Sequence, residues 1–166
     1  MAEANVDFFL KLEGVVGESQ DSTHQGEIDV LDFNYNVYQP GSMGYAGGGG
    51  TGKVAVSLFT IVCRQEKAVE TLKLKSSKGD HVPSGQFTAR KAGGEQQEYL
   101  KIFFKDMILT NVTQGGSSGS PERVVRLSFD FAAIKSEYYP QKPDGTLDAP
   151  ITFEWDCKKN IPVFPG

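Results

Sequence analysis

The sequence predicts a mainly β protein, a compact β-barrel or two-sheet sandwich with one short α-helix. Three observations carry this. Apolar and polar residues alternate with period two along most of the chain, the pattern of half-buried strands. One stretch alone has helical composition. Segments rich in glycine, serine, proline and aspartate separate the alternating runs, where turns belong. There is no internal repeat and no sign of a second domain, so residues 1–166 are expected to form one domain, with an extended C-terminal tail over 160–166.

Taken in order, residues 6–13 read as a first strand. In the next run Leu31, Phe33, Tyr35 and Val37 alternate with Asp32, Asn34, Asn36 and Tyr38, which puts the two sets on opposite faces. Residues 54–62 form a further strand. The helix is expected over 65–77, where Glu66, Lys67, Ala68, Glu70, Leu72 and Lys73 are good helix formers. Ala68, Val69 and Leu72 make its apolar stripe and Gly79 its C-terminal cap. The alternation of Leu72 to Lys75 leaves a strand as the other option. Residues 86–91 are a strand, and Leu100, Ile102 and Phe104 alternate with Lys101, Phe103 and Lys105 in the next. Val125, Leu127, Phe129 and Phe131 define a long strand whose phase switches after Ala132 and Ala133, because Ile134 and Tyr138 take over as the apolar set. A one-residue switch of this kind predicts a β-bulge. Residues 151–156 close the series, and turns are expected at Gly93-Gly94, over 114–120 and over 142–145.

Composition excludes several function classes. The net charge is −4 with no long basic run, which argues against a nucleic-acid or anionic-membrane partner. No apolar stretch approaches the ~20 residues of a membrane span. The first apolar run follows Glu3 and Asp7 and is broken by Lys11 and Glu13, unlike a secretory signal peptide. Cys63 and Cys157 are expected to be buried or half-buried free thiols, with a disulfide as the alternative.

Candidate chemistry is sparse. Gly47, Gly48, Gly49, Gly50, Thr51, Gly52 and Lys53 have the spacing of a phosphate-binding loop as far as the lysine. Val54 then stands where a Ser or Thr should hold magnesium, and a strand follows where a helix should open. His24 and His81 sit in separate loops without metal-ligand spacing, so His24 is expected in a solvated loop with Asx-type turns. No nucleophile elbow or reactive cysteine is present in the sequence. No catalytic residue, metal or cofactor is therefore assigned. Asp32, Asn34 and Asn36 share one strand face, where they would meet either bulk solvent or, in a ring, a water-filled lumen.

Three segments carry a resemblance. They are Gly17-Glu18-Ser19-Gln20-Asp21-Ser22-Thr23-His24-Gln25-Gly26-Glu27-Ile28-Asp29-Val30-Leu31, then Arg90-Lys91-Ala92-Gly93-Gly94-Glu95-Gln96-Gln97-Glu98-Tyr99-Leu100-Lys101-Ile102, and Glu137-Tyr138-Tyr139-Pro140-Gln141 with Trp155-Asp156. With them the chain resembles the haemolysin-coregulated protein (Hcp) family, the tail-tube subunits of type VI secretion systems. Phe33 and Tyr35 stand where that family often has tryptophans, and a Ser-Pro helix start is missing near Glu66-Lys67. The chain ends soon after Trp155-Asp156, so no appended toxin domain is expected.

The resemblance implies a homo-hexameric ring. Rings stack into a hollow tube inside a contractile sheath, capped by a spike protein of the VgrG type, and carry secreted effector proteins in the lumen. It implies synthesis in the bacterial cytoplasm without a signal peptide, export by the same machine, and no enzymatic activity. Within it, Asp32, Asn34 and Asn36 are expected to face the lumen and its cargo. The loop of Gly41, Ser42, Met43, Gly44, Tyr45, Gly47, Gly48, Gly49, Gly50, Thr51, Gly52 and Lys53 is expected to reach a neighbouring subunit or ring. The alternatives are a monomeric ligand-binding β-barrel and, behind it, a nucleotide-binding enzyme using the glycine-rich loop.

Overall fold

The structure, a computed structural model, describes residues 5–41, 53–92, 95–121 and 123–166. Its strands are β1 (Val6–Leu12), β2 (Ile28–Asn34), β3 (Val37–Tyr38), β4 (Ala55–Val56), β5 (Phe59–Arg64), β6 (Val82–Lys91), β7 (Gln97–Gln114), β8 (Val124–Tyr138) and β9 (Ile151–Asp156). The helix α1 spans Lys67–Lys78. Strands pair antiparallel in the order β5-β2-β1-β6-β7-β8-β9, and β8 also pairs with β5. That second pairing closes six strands into a barrel and removes their free edges. Only the first half of β8 is needed for it. The second half pairs with β9, which therefore hangs outside the closed ring of strands.

The alternation read from the sequence buries one face of each strand. Phe59, Phe87, Phe104 and Phe129 are fully buried, with Leu10, Ile28, Ile61, Ile102, Met107 and Leu127 around them. Phe59 is the hub. Its ring centroid lies 4.7 Å from Phe104, 5.5 Å from Phe87 and 6.2 Å from both Phe33 and Tyr35. The barrel interior is thus filled by side chains.

Two predicted strands are each broken in two. Residues 31–38 divide into β2 and β3, and residues 54–62 into β4 and β5. The breaks face each other, where Asn36 N–H donates to Ser57 Oγ at 2.7 Å and Ser57 N–H to the Asn36 carbonyl at 2.8 Å. The short hairpin β3–β4 thereby leaves the barrel wall as a separate two-stranded sheet.

The helix begins two residues later than expected. Glu66 is extended at its start, and the carboxylate of Glu18 accepts from Lys67 N–H at 3.0 Å. A side chain from a distant loop thus satisfies a first-turn donor. The stop is the one predicted: Gly79 is left-handed at φ 74°. Its N–H bonds the Ser76 carbonyl and Asp80 N–H the Lys75 carbonyl, which is a Schellman motif. Ala68, Val69 and Leu72 are buried.

The bulge expected near Ala132 is absent from β8, whose pairing with β7 runs unbroken through Phe131–Met107, Ala133–Lys105 and Ile134–Phe104. Instead three adjacent strands change phase together. The residues facing the main core jump three from Val82 to Gly85 in β6, from Phe104 to Met107 in β7 and from Phe131 to Ile134 in β8, where Ala133 between them is buried as well but outside that core. These pairs lie in register across the sheet. Asp106 sits on this crease at φ 51°. Because every strand in the row shifts equally, the sheet bends with no residue inserted. True one-residue register shifts occur at Leu31 in β2 and at Tyr99 and Thr110 in β7.

Candidate functional site

The shift at Leu31 decides which way β2 presents its side chains. Before it Ile28 and Val30 are buried; after it Phe33 and Tyr35 pack on the core, while Leu31 itself is exposed. Asp32, Asn34 and Asn36 are all exposed on the outer side. Val37 belongs to the hairpin and is exposed as well.

Neighbouring strands extend that polar face. Asn34 is the register partner of Thr60, Thr60 of Ser128, and Ser128 of Asn111. The result is a belt of small uncharged polar residues across β2, β5, β8 and β7. The hydroxyls of Thr60 and Ser128 are hydrogen-bonded at 2.9 Å, and Thr110 Oγ1 donates to the Ser128 carbonyl at 3.1 Å. The next row runs Asp32, Val62, Arg126, Thr113, with one carboxylate and one guanidinium. Sequence reading found the β2 part of this wall. Thr60, Ser128 and Asn111 escaped it because only the pairing register aligns them.

Of the glycine-rich loop, Gly41 and Lys53 are described and both are exposed. Ser42, Met43, Gly44, Tyr45, Gly47, Gly48, Gly49, Gly50, Thr51 and Gly52 lie outside the described residues. The hairpin β3–β4 holds the two ends of the loop. Lys53 borders an open groove of about 330 Å³ that also touches Trp155 and Cys157.

Elsewhere, one expectation needs correction. His24 is buried, not solvated. Its ring stacks on Phe9 with centroids 4.2 Å apart, Nδ1 lies 2.9 Å from Glu27 Oε2 and Nε2 2.7 Å from Glu98 Oε1. Beside it Arg90, with a side chain 3% exposed, makes two contacts to Asp21, at 3.0 and 2.6 Å, and one to Asp7 at 3.1 Å. Asp21 does form the predicted Asx-type turn, accepting from Thr23 N–H. The partners that bury the loop come from β1, β6 and β7, too far along the chain for local patterns to show.

Both cysteines are free thiols. Burial pushes the Cys63 thiol up to about 12 and raises Cys157 as well, so neither is poised as a thiolate nucleophile. His81 Nδ1 lies 2.6 Å from Asp106 on the surface. Among the described residues no group of three His, Cys, Asp or Glu is placed to hold a metal ion.

The sequence profile of the family described as "Type VI secretion system effector, Hcp" matches residues 9–138. Protein hcp1 of Pseudomonas aeruginosa is 40% identical over 158 residues, covering 94% of this chain and 98% of that protein. The chain belongs to the Hcp family. Hcp1 from Salmonella typhimurium superposes with a TM-score of 0.79 at 32% identity, covering 97% of this chain and 100% of that one. A type VI secretion system effector from Yersinia pestis gives 0.74 at 32% identity, covering 90% and 99%.

The segments that carry the Hcp resemblance converge in space. The Arg90–Asp21 and His24–Glu98 contacts join the first to the second. Tyr139 N–H donates to the Tyr99 carbonyl, and Lys91 Nζ to Gln141 at 3.0 Å, joining the second to the third. Asp156 caps its own turn, accepting from Lys158 N–H and Lys159 N–H. These contacts tie the loops of the segments to the barrel and to each other. No helix among the described residues is long and apolar enough to cross a membrane.

Proposed function

We propose that this Hcp protein is the structural subunit of a type VI secretion tail tube, acting as one domain over residues 1–166. Six copies form a ring, and rings stack into a hollow tube. The tube carries effectors in its lumen and is expelled, with its cargo, when a contractile sheath shortens behind a spike of the VgrG type. It needs no cofactor and catalyses no reaction. The observation that carries this is the uncharged polar belt of Asn34, Thr60, Ser128 and Asn111 on the outer barrel face, continuous with Asp32 and Asn36. Exposed Asn34 and Asn111 with half-buried Thr60, backed by the buried Ser128 hydroxyl, form a wall that water wets and that offers passing cargo no large apolar surface. A monomeric barrel binding a ligand inside is disfavoured, because aromatic side chains occupy the interior.

Contact between copies has a separate support. Tyr138 and Ile151 are register partners on β8 and β9, 50% and 69% exposed, on the sheet face that elsewhere forms the core. That strip and the open edge of β9 are surfaces a soluble chain leaves bare at some risk of aggregation. A ring would cover them with a different patch of the next copy.

Native mass measurement is the direct test, with a hexamer expected and a strict monomer at all concentrations refuting the proposal. Within it, Asn34→Arg should leave the hexamer intact and lower retention of co-expressed effector. Loss of the hexamer would place Asn34 at a structural contact instead. Removing Gly47, Gly48, Gly49 and Gly50 should leave subunit folding unchanged and disturb stacking or secretion. Normal tubes and normal secretion from the shortened chain would show that the loop touches no neighbour.

A further inference from the structure

The loop of residues 17–27 ends one residue before β2, the strand that carries Asp32 and Asn34, and it is fastened to the barrel at two points. One is the permanently charged Arg90 with Asp21 and Asp7. The other is His24, whose two ring nitrogens each face a carboxylate, Glu27 at 2.9 Å and Glu98 at 2.7 Å. We propose that His24, Glu27 and Glu98 form a proton-dependent latch that holds this loop against the barrel and opens when the triad loses one proton.

The reason is a count of donors. A neutral imidazole has one N–H and one lone pair, and an ionised carboxylate only accepts. Two ionised carboxylates can both be satisfied only by the imidazolium. With a neutral ring, one carboxyl must keep its proton and donate it. Either way the closed latch holds one proton more than a neutral ring between two carboxylates. Removing that proton sets lone pair against lone pair across one of the two contacts, in a partly buried site where water screens the repulsion only in part.

The surroundings pull in both directions. Glu27 comes from the loop itself, and burial raises its carboxyl above the usual range, which favours keeping the proton. Against this stand Lys11 from β1 and Lys101 from β7, the latter 3.5 Å from Glu98, while Arg90 from β6 lies over the Phe9 ring on which His24 stacks. Asp21 and Asp7 are occupied by Arg90. At the other end of the loop Glu66, at the start of α1, is pushed up to about 7 by burial and by Glu18. The raised Glu27 carboxyl favours the protonated, closed latch at the lower end of the pH range. Closure is lost as pH rises and that proton leaves.

Amide hydrogen exchange of the full chain at about pH 6 and pH 9, corrected for intrinsic rates, tests this. Protection across residues 18–27 should fall roughly tenfold or more in the wild type, with the barrel strands unchanged. Glu98→Gln should abolish the fall, because its amide N–H donates to the lone pair on Nε2 of a neutral ring whose single N–H, on Nδ1, serves Glu27. Glu66→Gln should leave the fall in place, which separates the latch from the carboxyl at the helix start. Equal wild-type protection at both pH values overturns the proposal, as does a Glu98→Gln loop that loosens as far as the wild type. If Glu98→Gln does not fold, the ¹⁵N shifts of the His24 ring decide. They should change over the pH range in which the loop opens, and unmoved shifts overturn the latch.

Discussion

Replacing Phe59 by alanine is expected to lower the unfolding free energy by about 3–5 kcal/mol, the usual cost of removing a fully buried phenyl ring from a core that cannot collapse around the gap. Phe59 has no exposed surface, and four other aromatic rings converge on it. They come from β2 and the residue just after it, from β6 and from β7, so no single neighbour can move in without disturbing another. Phe59→Leu should cost only about 1–2 kcal/mol, since much of the volume is kept. Urea denaturation monitored by the single tryptophan, Trp155, gives both values. At this chain length, roughly 4 kcal/mol corresponds to a drop in Tm of about 8–16 °C. A loss below about 1 kcal/mol for the alanine variant would show that the barrel interior repacks freely.

Replacing Arg90 by methionine is expected to cost about 2–4 kcal/mol at pH 7, because it leaves Asp21 and Asp7 without their partner while keeping the aliphatic packing over Phe9. Asp21 is 21% exposed and Asp7 more, so water recovers part of the loss, and the value sits below that of a fully buried pair. The pH dependence identifies the cause. The guanidinium holds the Asp21 carboxyl well below the usual carboxylate range. A depressed folded-state value contributes stability above the unfolded value of about 3.9, and the contribution is lost as pH falls through the folded value. The gap between wild type and Arg90→Met should therefore be full at neutral pH and narrow below about pH 4. A gap that stays constant down to pH 2 would assign the loss to packing alone.

The period-two patterns located nearly every strand, since burial on one face imposes alternation wherever a strand lies. Helix α1 was legible for a similar reason: its stripe of Ala68, Val69 and Leu72 and the left-handed Gly79 are local features. So were the poor match of the glycine-rich loop to a phosphate site and the free state of the two cysteines. The segments that carry the family resemblance were visible as words, but their physical work was not.

What the tertiary structure decided concerns pairs distant in sequence. Arg90 lies 69 residues from Asp21, and His24 lies 74 from Glu98. No local pattern distinguishes an aspartate that will meet a buried guanidinium from one in solvent. Sequence shows the phase change near Ala132 as a switch but cannot show that no bulge makes it, because a bulge is defined by the partner strand. Only the partners, β6 and β7, show that the whole row turns together. The same holds for the outer wall. The parity of Asp32, Asn34 and Asn36 could be read along one strand, whereas the belt they share with Thr60, Ser128 and Asn111 exists only across four. Periodicity along a chain reports which face each residue takes, and register between chains of hydrogen bonds, which has no local signature, reports what it stands beside.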